Sequence, residues 1–192
     1  MDLLKAYYQN LLSFTDAELR LLGKFFIRVE LGKKEFILKE GQVCDWIGFM
    51  ESGLVRHFHY KKFDEISCDF SRRNQFITDF ESFNSGEPSK INLVTLEDTV
   101  FYRINKVNVA ELYLENEKFS VAGRMIVERI LLRISKMAES FMNYAPQERY
   151  QNFQIEYKDI FEKIPAKYIS SFLGIKAESL SRIKKRISKR NS

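Results

Sequence analysis

The sequence is poor in the residues that form covalent and metal cross-links. It contains two cysteines and two histidines among 192 residues. Cys44 and Cys68 form no C-x-x-C pair, so the pattern indicates neither a disulfide framework nor a zinc ribbon. An iron–sulfur cluster, which needs about four thiolates, is excluded by the same shortage.

Long apolar runs are also absent from the sequence. No run approaches the roughly 20 residues of a membrane-spanning helix, and the segment that begins at Met1 has no signal-peptide pattern. We therefore expect a cytoplasmic protein that makes no membrane contact. The content of 45% hydrophobic and 30% charged residues is typical of a globular chain, and 17 phenylalanines with 9 tyrosines favour a β-rich core.

Residues 165–190 predict two short helices joined by a tight turn. Pro165 suits a first helical position. Gly174 suits the left-handed residue that ends a helix, with Ile175 as its hydrophobic cover. Each predicted helix has one apolar face: Tyr168, Ile169, Phe172 and Leu173 in the first, and Ala177, Leu180, Ile183 and Ile187 in the second. Two such helices around a short turn form a helix-turn-helix.

The second of these helices is strongly cationic. Residues 165–192 contain eight Lys or Arg and one acid, a net charge of +7, so the whole-chain charge of +5 leaves −2 (5 − 7) for residues 1–164. A basic terminal segment on a slightly acidic body is typical of a nucleic-acid-binding protein. The alternative is a solvated, lysine-rich terminal helix. The turn and the polar start of the second helix favour DNA, because a recognition helix reads bases from its first turns.

Two neighbouring stretches carry a family resemblance. Y-I-S-S-F-L-G-I from Tyr168 to Ile175, followed by E-S-L-S-R-I from Glu178 to Ile183, resembles the C-terminal DNA-binding motif of the Crp/Fnr transcription-regulator family, particularly its Bacteroidetes-type branch. The resemblance implies that the Glu and the Arg four positions later read base edges in the major groove. The candidate DNA-binding residues are Lys176, Glu178, Ser179, Arg182, Lys184, Lys185, Arg186 and Lys189.

The stretch also departs from the family pattern in two ways. Lys176 stands where a Ser or Thr N-cap is expected, so a local acceptor is missing. Glu178 in the first turn partly offsets this loss through the helix dipole. Because the sequence ends at Ser192, we expect no full β-wing after the recognition helix.

The hydrophobic period changes twice along the preceding chain. Thr15 and Glu18 predict a capping box for a helix that runs to about residue 26. Residues 27–104 alternate with a period of two, which predicts a barrel of about eight short strands. The helical period returns at residues 107–114 and 118–144.

This order of elements predicts an α+β fold and resembles the Crp/Fnr architecture over nearly the whole chain. The resemblance implies a cyclic-nucleotide-binding-like β jelly roll with flanking helices at residues 1–117, serving as a sensor. It further implies a long dimerisation helix at 118–144 and a helix-turn-helix DNA-binding domain at 145–192.

The long predicted helix has an apolar stripe that is wide enough to cover two surfaces. We interpret part of it as the seam of a two-fold dimer formed by Ile126, Ile130, Ile134, Met137 and Phe141. Val127, Leu131, Ala138 and Met142 form a second flank. The alternative is a helix that is buried in the core of a single chain.

The sensor lacks the usual phosphate-binding residue. Family members that bind cyclic nucleotides carry a Gly-Glu-Leu turn and, about ten residues later, an Arg that pairs with the phosphate. Asp79 and Phe80 stand at the first place here, and Ser89 and Lys90 at the second, so these four are candidate ligand-binding residues by position. Ser89 in place of Arg removes a charge-assisted pair, so we expect no cyclic AMP binding. Asp79 and Ser89 are better interpreted as loop-capping groups.

His57 and His59 share one strand face and, with Glu65, partly resemble a cupin metal site. Such a site needs about four ligands, so we interpret the histidines as exposed polar positions and expect no metal, catalytic residue or cofactor. The sequence therefore predicts a non-enzymatic, homodimeric, sequence-specific transcription regulator whose partner is double-stranded DNA. RNA polymerase and an unknown small-molecule effector are further candidate partners. The alternatives are a cupin-like metal-dependent enzyme or metal sensor with a basic tail, and an effector-free barrel that only scaffolds the DNA reader or contacts polymerase.

Overall fold

The computed structural model describes residues 1–190. Two helices open the chain, α1 (Asp2–Leu12) and α2 (Asp16–Phe25). The predicted capping box is confirmed, because the Thr15 hydroxyl accepts a hydrogen bond from the Glu18 N–H while the Glu18 carboxylate accepts one from the Thr15 N–H. Helix α1 was not predicted, although its buried Leu4, Tyr8 and Leu11 have helical spacing.

Eight strands follow, as the period of two predicts. They are β1 (Ile27–Leu31), β2 (Phe36–Leu38), β3 (Trp46–Ser52), β4 (Leu54–Lys61), β5 (Asp64–Arg72), β6 (Phe76–Ile77), β7 (Asn92–Thr95) and β8 (Thr99–Asn105). They form two four-stranded sheets with the orders β1-β8-β3-β6 and β2-β7-β4-β5. A buried cluster that includes Leu38, Val55, Leu93, Met50 and Phe101 draws side chains from both sheets. The two sheets therefore share one core.

The remaining elements are helical. They are α3 (Phe80–Ser85), α4 (Lys106–Glu115), α5 (Glu117–Asn143), α6 (Pro146–Glu156), a single 3₁₀ turn (Phe161–Lys163), α7 (Ala166–Phe172) and α8 (Ala177–Arg190). Helix α3, which lies between β6 and β7, is too short to produce a period in the sequence. Pro165 immediately precedes α7 rather than occupying its first position. Within residues 1–190, no helix has both the length and the apolar character that a membrane crossing requires.

The chain forms two compact units whose boundaries differ from those of the predicted domains. The first unit combines residues 1–57 with 70–130, and the second combines residues 58–69 with the chain from Leu131 onward. Helix α5 therefore contributes its first half to one unit and its second half to the other. The hairpin tip of β4 and β5 belongs to the second unit, although it lies in the middle of the sequence.

Strand β4 corrects the interpretation of the histidine pair. His57 is buried, with its Nε2 2.8 Å from the Ser71 hydroxyl oxygen, and His59 is half-buried. Arg56, on the other face of the strand, is 1% exposed. Because both faces are covered from Leu54 to Phe58, alternating polarity does not indicate exposure here. In the part of the chain that the structure describes, no three His, Cys, Asp or Glu side chains come together as metal ligands would.

Candidate nucleic-acid interface

The turn between α7 and α8 sets the geometry of the C-terminal helices. Gly174 has a φ of 65°, the left-handed conformation that its position predicts. Its N–H donates to the Ser171 carbonyl at 3.1 Å, and the Ile175 N–H donates to the Ser170 carbonyl at 3.0 Å. These two bonds form a Schellman motif, which ends α7 shortly before α8 begins at Ala177.

The inner face of α8 packs on its own unit. Leu180 and Ile183 are 2% and 8% exposed, and Ile169 and Leu173 are buried with them. Phe172 continues this core into an aromatic cluster with Phe153 and Tyr157, whose ring centroids lie 5.2 and 5.9 Å from that of Phe172. The apolar faces predicted for the two helices are thus largely confirmed, except that Ala177 is exposed.

The outer face of α8 is exposed and cationic. The exposed predicted residues are Lys176, Glu178, Arg182, Lys185, Arg186 and Lys189. Arg182 donates one hydrogen bond, at 3.3 Å, to the half-buried Ser179 hydroxyl. Among the described residues, no carboxylate forms an ion pair with the cations of this outer face. These charges are therefore available to an external anionic partner.

Lys184 differs from the other candidate residues of this helix. Its side chain is half-buried, and its ammonium lies 5.8 Å from the centroid of the Phe161 ring. This distance is typical of a cation–π contact within the unit. Lys184 is consequently less available to a phosphate than Lys185 or Arg186.

A second polar cluster, not predicted from the sequence, connects the hairpin tip to the helices of the same unit. Arg133 on α5 donates two hydrogen bonds to the Asp69 carboxylate, at 2.8 and 2.6 Å, and the Tyr157 hydroxyl donates a third at 3.2 Å. The bond to Asp69 raises the pKa of Arg133, and burial raises the pKa of Tyr157. We call Asp69, Arg133 and Tyr157 the Asp69 cluster.

The same hairpin also contacts the first helix of the pair. The Ser67 N–H donates to the Ser171 hydroxyl at 2.9 Å, and that hydroxyl donates to the Glu65 carbonyl at 3.1 Å. Ser171 is the residue whose carbonyl accepts the Gly174 N–H. The hairpin therefore holds the turn that precedes the cationic helix.

The four candidate ligand-binding residues lie in the first unit, and two of them, Asp79 and Ser89, form internal hydrogen bonds. Asp79 is the N-cap of α3 and accepts hydrogen bonds from the N–H groups of Glu81 and Ser82 at 3.2 and 3.4 Å. The Ser89 hydroxyl donates to the Ile91 carbonyl at 2.9 Å and accepts from its N–H at 3.1 Å. Both residues thus perform the loop-capping role that the sequence favours.

Lys90 and Phe80 complete the candidate ligand set. Lys90 forms an ion pair with Glu81, which raises the pKa of Lys90, and Phe80 is 43% exposed. Lys90 and Asp79 lie on the wall of a cavity of about 370 Å³ that Glu81 and Glu87 also line. Three carboxylates facing one ammonium disfavour a phosphate diester in this cavity.

The residues of the predicted dimer seam share one face of α5 but differ in exposure along its length. Ile126 is 7% exposed and belongs to the core of the first unit, and Ile130 packs against that core. Met137 is half-buried, whereas Ile134 and Phe141 are 48% and 40% exposed. Ile126 is therefore removed from the seam, because its side chain is used within its own chain.

The flank next to that seam is the more exposed apolar surface of the helix. In the second half of α5 it consists of Leu131, Ile134, Ala138 and Met142, which recur at steps of three and four residues. Leu131 and Met142 are 63% and 82% exposed. We call these four residues the outer stripe of α5.

Comparison with known proteins identifies the fold. No protein-family model matches the sequence, and no curated protein does. The solved structure of FixK2 from Bradyrhizobium japonicum is similar, with a TM-score of 0.74 and 13% identity over 86% of each chain. A Eubacterium rectale protein assigned to the Crp/Fnr family of transcriptional regulators matches with a TM-score of 0.72 and 15% identity, over 96% of this chain and 88% of its own.

A third solved structure gives the same result. A cyclic nucleotide-binding domain containing protein from Listeria monocytogenes matches with a TM-score of 0.70 and 13% identity, over 98% of this chain and 90% of its own. Sequence identities this low show that the folds are similar, but they do not show that corresponding residues have the same roles. The chain has the α and β fold of these proteins, with antiparallel strand pairs followed by helices.

Proposed function

We propose that this protein is a sequence-specific, DNA-binding transcription regulator of the Crp/Fnr type that acts as a homodimer and is not an enzyme. The observation that carries the proposal is the outer face of α8, which is cationic and has no internal ion pair within the described residues. That helix follows a Schellman turn in a fold similar to that of the Eubacterium rectale protein assigned to the family.

In this proposal, α8 enters the major groove as a recognition helix. Glu178 and Arg182 lie on its exposed side one helical turn apart, where they contact base edges together with Ser179. Arg182 bound to a guanine contributes about 1–3 kcal/mol of base discrimination. The hydrogen bond from Arg182 to Ser179 is long, so breaking it costs little free energy when the guanidinium turns toward a base.

The remaining exposed cations bind phosphates. Lys176, Lys185, Arg186 and Lys189 present charge without internal partners among the described residues. Each phosphate that is neutralised contributes about 0.9 to the slope of log affinity against log salt concentration, independently of sequence. Lys184 contributes less, because its ammonium lies against Phe161.

The outer stripe of α5 is the proposed dimer seam, which keeps Ile134 of the predicted seam and leaves out Ile126, Ile130, Met137 and Phe141. Pairing of two copies along Leu131, Ile134, Ala138 and Met142 buries apolar surface that is otherwise exposed. A two-fold dimer presents two recognition helices to half-sites about one helical turn apart, so the proposed operator is nearly palindromic.

The two sheets form the proposed sensor, a cyclic-nucleotide-binding-like jelly roll. The strand orders β1-β8-β3-β6 and β2-β7-β4-β5 suit this architecture. Cyclic AMP is not the proposed effector, since Asp79 already caps α3 and carboxylates line the adjacent cavity. RNA polymerase is a proposed protein partner.

Selection of bound DNA from a random pool tests the proposal directly. We expect the full chain to enrich one nearly palindromic sequence. The Arg182→Ala variant should lose preference for particular base pairs, whereas Lys185→Ala should weaken binding to all sequences alike and reduce the salt slope by about 1. Lys24→Ala on the exposed surface of α2 is the charge-matched control and should leave binding unchanged. Failure to enrich any sequence, or equal losses of specificity in the Arg182 and Lys185 variants, contradicts the proposal.

A further inference from the structure

The second unit contains a cavity that the DNA-binding proposal does not use. Its volume is about 320 Å³, and its walls come from the end of α5, from α6 and from the end of α7. Ligand sites for small organic molecules begin at about 300 Å³.

The floor of this cavity is aromatic. Phe153, Tyr157 and Phe172 line it, and they are the members of the aromatic cluster beneath α7 and α8. Phe141 forms a further wall, with its ring centroid 6.4 Å from that of Phe172. A flat apolar or aromatic body suits these surfaces, because ring edges and faces pack at such separations.

Arg149 provides the polar anchor. Its guanidinium carbon lies 5.2 Å from the centroid of the Phe141 ring, and one terminal nitrogen is 3.5 Å from the Tyr144 carbonyl oxygen. Its Nε is buried and has no hydrogen-bond partner among the described residues. Because Nε has almost no accessible surface, an acceptor in the cavity must meet the terminal nitrogens of this half-buried guanidinium, and an anionic oxygen there forms a charge-assisted hydrogen bond.

The other charged groups of the wall limit the charge of the ligand. Lys136 lines the cavity together with Glu139 and Glu156. With two carboxylates and two cations the wall has no net charge, so it cannot neutralise a polyanion such as a nucleotide phosphate, whereas a single negative charge can pair with Arg149. The chemistry therefore fits one carboxylate attached to an apolar body.

We propose that this cavity binds a small monocarboxylate with an aromatic or apolar body, whose carboxylate is held by Arg149. The body packs on Phe141, Phe153 and Phe172, and Asn152 lines the same wall. The site adjoins the outer stripe of α5, since Phe141 lies two helical turns from Ile134 on the same face, but no residue of the outer stripe lines the cavity. Its existence does not depend on the DNA-binding proposal.

Titration calorimetry of the full chain with two isosteric probes tests the site without any DNA. We expect 3-phenylpropionate to bind at least tenfold more tightly than the neutral 3-phenylpropanamide, because only the carboxylate supplies a charged acceptor to Arg149. Absence of binding by 3-phenylpropionate up to about 10 mM, or equal affinities for acid and amide, overturns the proposal.

A variant pair locates the anchor. Arg149→Gln should weaken binding of 3-phenylpropionate at least tenfold and leave the amide affinity unchanged, whereas Arg20→Gln, at an exposed position of α2, should change neither affinity. Unchanged binding of the acid to the Arg149 variant assigns the carboxylate to another site and refutes the inference. Circular dichroism verifies that this variant is folded, and if it is not, the acid–amide comparison in the wild-type chain decides.

Discussion

The geometry of the Asp69 cluster predicts how strongly its ion pair stabilises the second unit. The pair formed by Asp69 and Arg133 is bidentate, with hydrogen bonds of 2.8 and 2.6 Å, and the two side chains are 18% and 32% exposed. Because the pair is partly buried, its contribution to stability should lie between those of two other kinds of ion pair. Exposed pairs contribute about 0–1 kcal/mol, and breaking a buried pair costs about 3–5 kcal/mol. We therefore expect a coupling free energy of about 1.5–3 kcal/mol.

A double-mutant cycle with Asp69→Asn and Arg133→Gln measures this coupling by urea denaturation. If either single substitution costs about this coupling free energy, the midpoint of thermal unfolding should fall by about 3–12 °C, given roughly 2–4 °C per kcal/mol for a chain of this size. Tyr157→Phe removes one neutral donor at 3.2 Å and should cost about 1 kcal/mol.

A second cycle on the same helix is the matched control. Arg124 and Glu128 form an exposed pair one helical turn apart, with side chains 64% and 54% exposed. Their coupling should not exceed about 0.5 kcal/mol. If the two cycles give equal coupling energies, partial burial does not strengthen the Asp69 pair and our reasoning about its magnitude is refuted.

The remaining predictions concern association, the turn, acid stability and the sensor. Ile134→Glu on the outer stripe should give monomers in sedimentation. Lys136→Gln changes the charge by the same amount on another side of α5 and should leave the dimer intact. An unchanged mass for the Ile134 variant refutes the proposed dimer seam. Gly174→Ala should lower the free energy of unfolding by about 1–2 kcal/mol, because the new Cβ meets only Phe141 Cε1 at an ordinary contact distance of 3.7 Å and the left-handed φ alone is penalised. No loss of stability in urea denaturation argues against the Schellman geometry. The pKa of Glu18 is lowered to about 2, first by the hydrogen bond from the Thr15 N–H and then by Lys118. The charged carboxylate therefore stabilises the fold above about pH 4.5, and this stabilisation is lost as the pH falls toward 2. Glu18→Gln should reduce the fall in the free energy of unfolding between these pH values. Addition of cyclic AMP to about 1 mM should not raise the melting temperature, and a clear rise would contradict the proposed sensor chemistry.

Local features of the sequence predicted local structure well. The capping box at Thr15 and the left-handed Gly174 depend on contacts within about five residues, and both are present. The strands and the long helix were predicted because a hydrophobic period extends over many residues in each. Helix α1 had the same signal in Leu4, Tyr8 and Leu11 and could have been found.

Features that depend on distant partners were not predictable. His57 was interpreted as exposed because period two assigns one face to solvent, yet both faces of that strand segment are covered. Ile126 and Ile134 are equally apolar, and only the fold decides which one is buried. Arg133 lies 64 positions from its partner Asp69. The unpartnered Nε of Arg149 likewise leaves no signal in a sequence, since it depends on what surrounds the guanidinium.

The hairpin of residues 58–69 has a consequence for the way this protein is synthesised. Ser67 leaves the ribosome 104 residues before Ser171, its hydrogen-bond partner, and Asp69 leaves 88 residues before Tyr157. The hairpin cannot make these contacts during translation until Tyr157 and Ser171 have emerged, so these contacts of high sequence separation should form late. A nascent chain that stops before residue 171 therefore exposes the hairpin without its partners, and the turn that precedes the cationic helix is held in place only after that point.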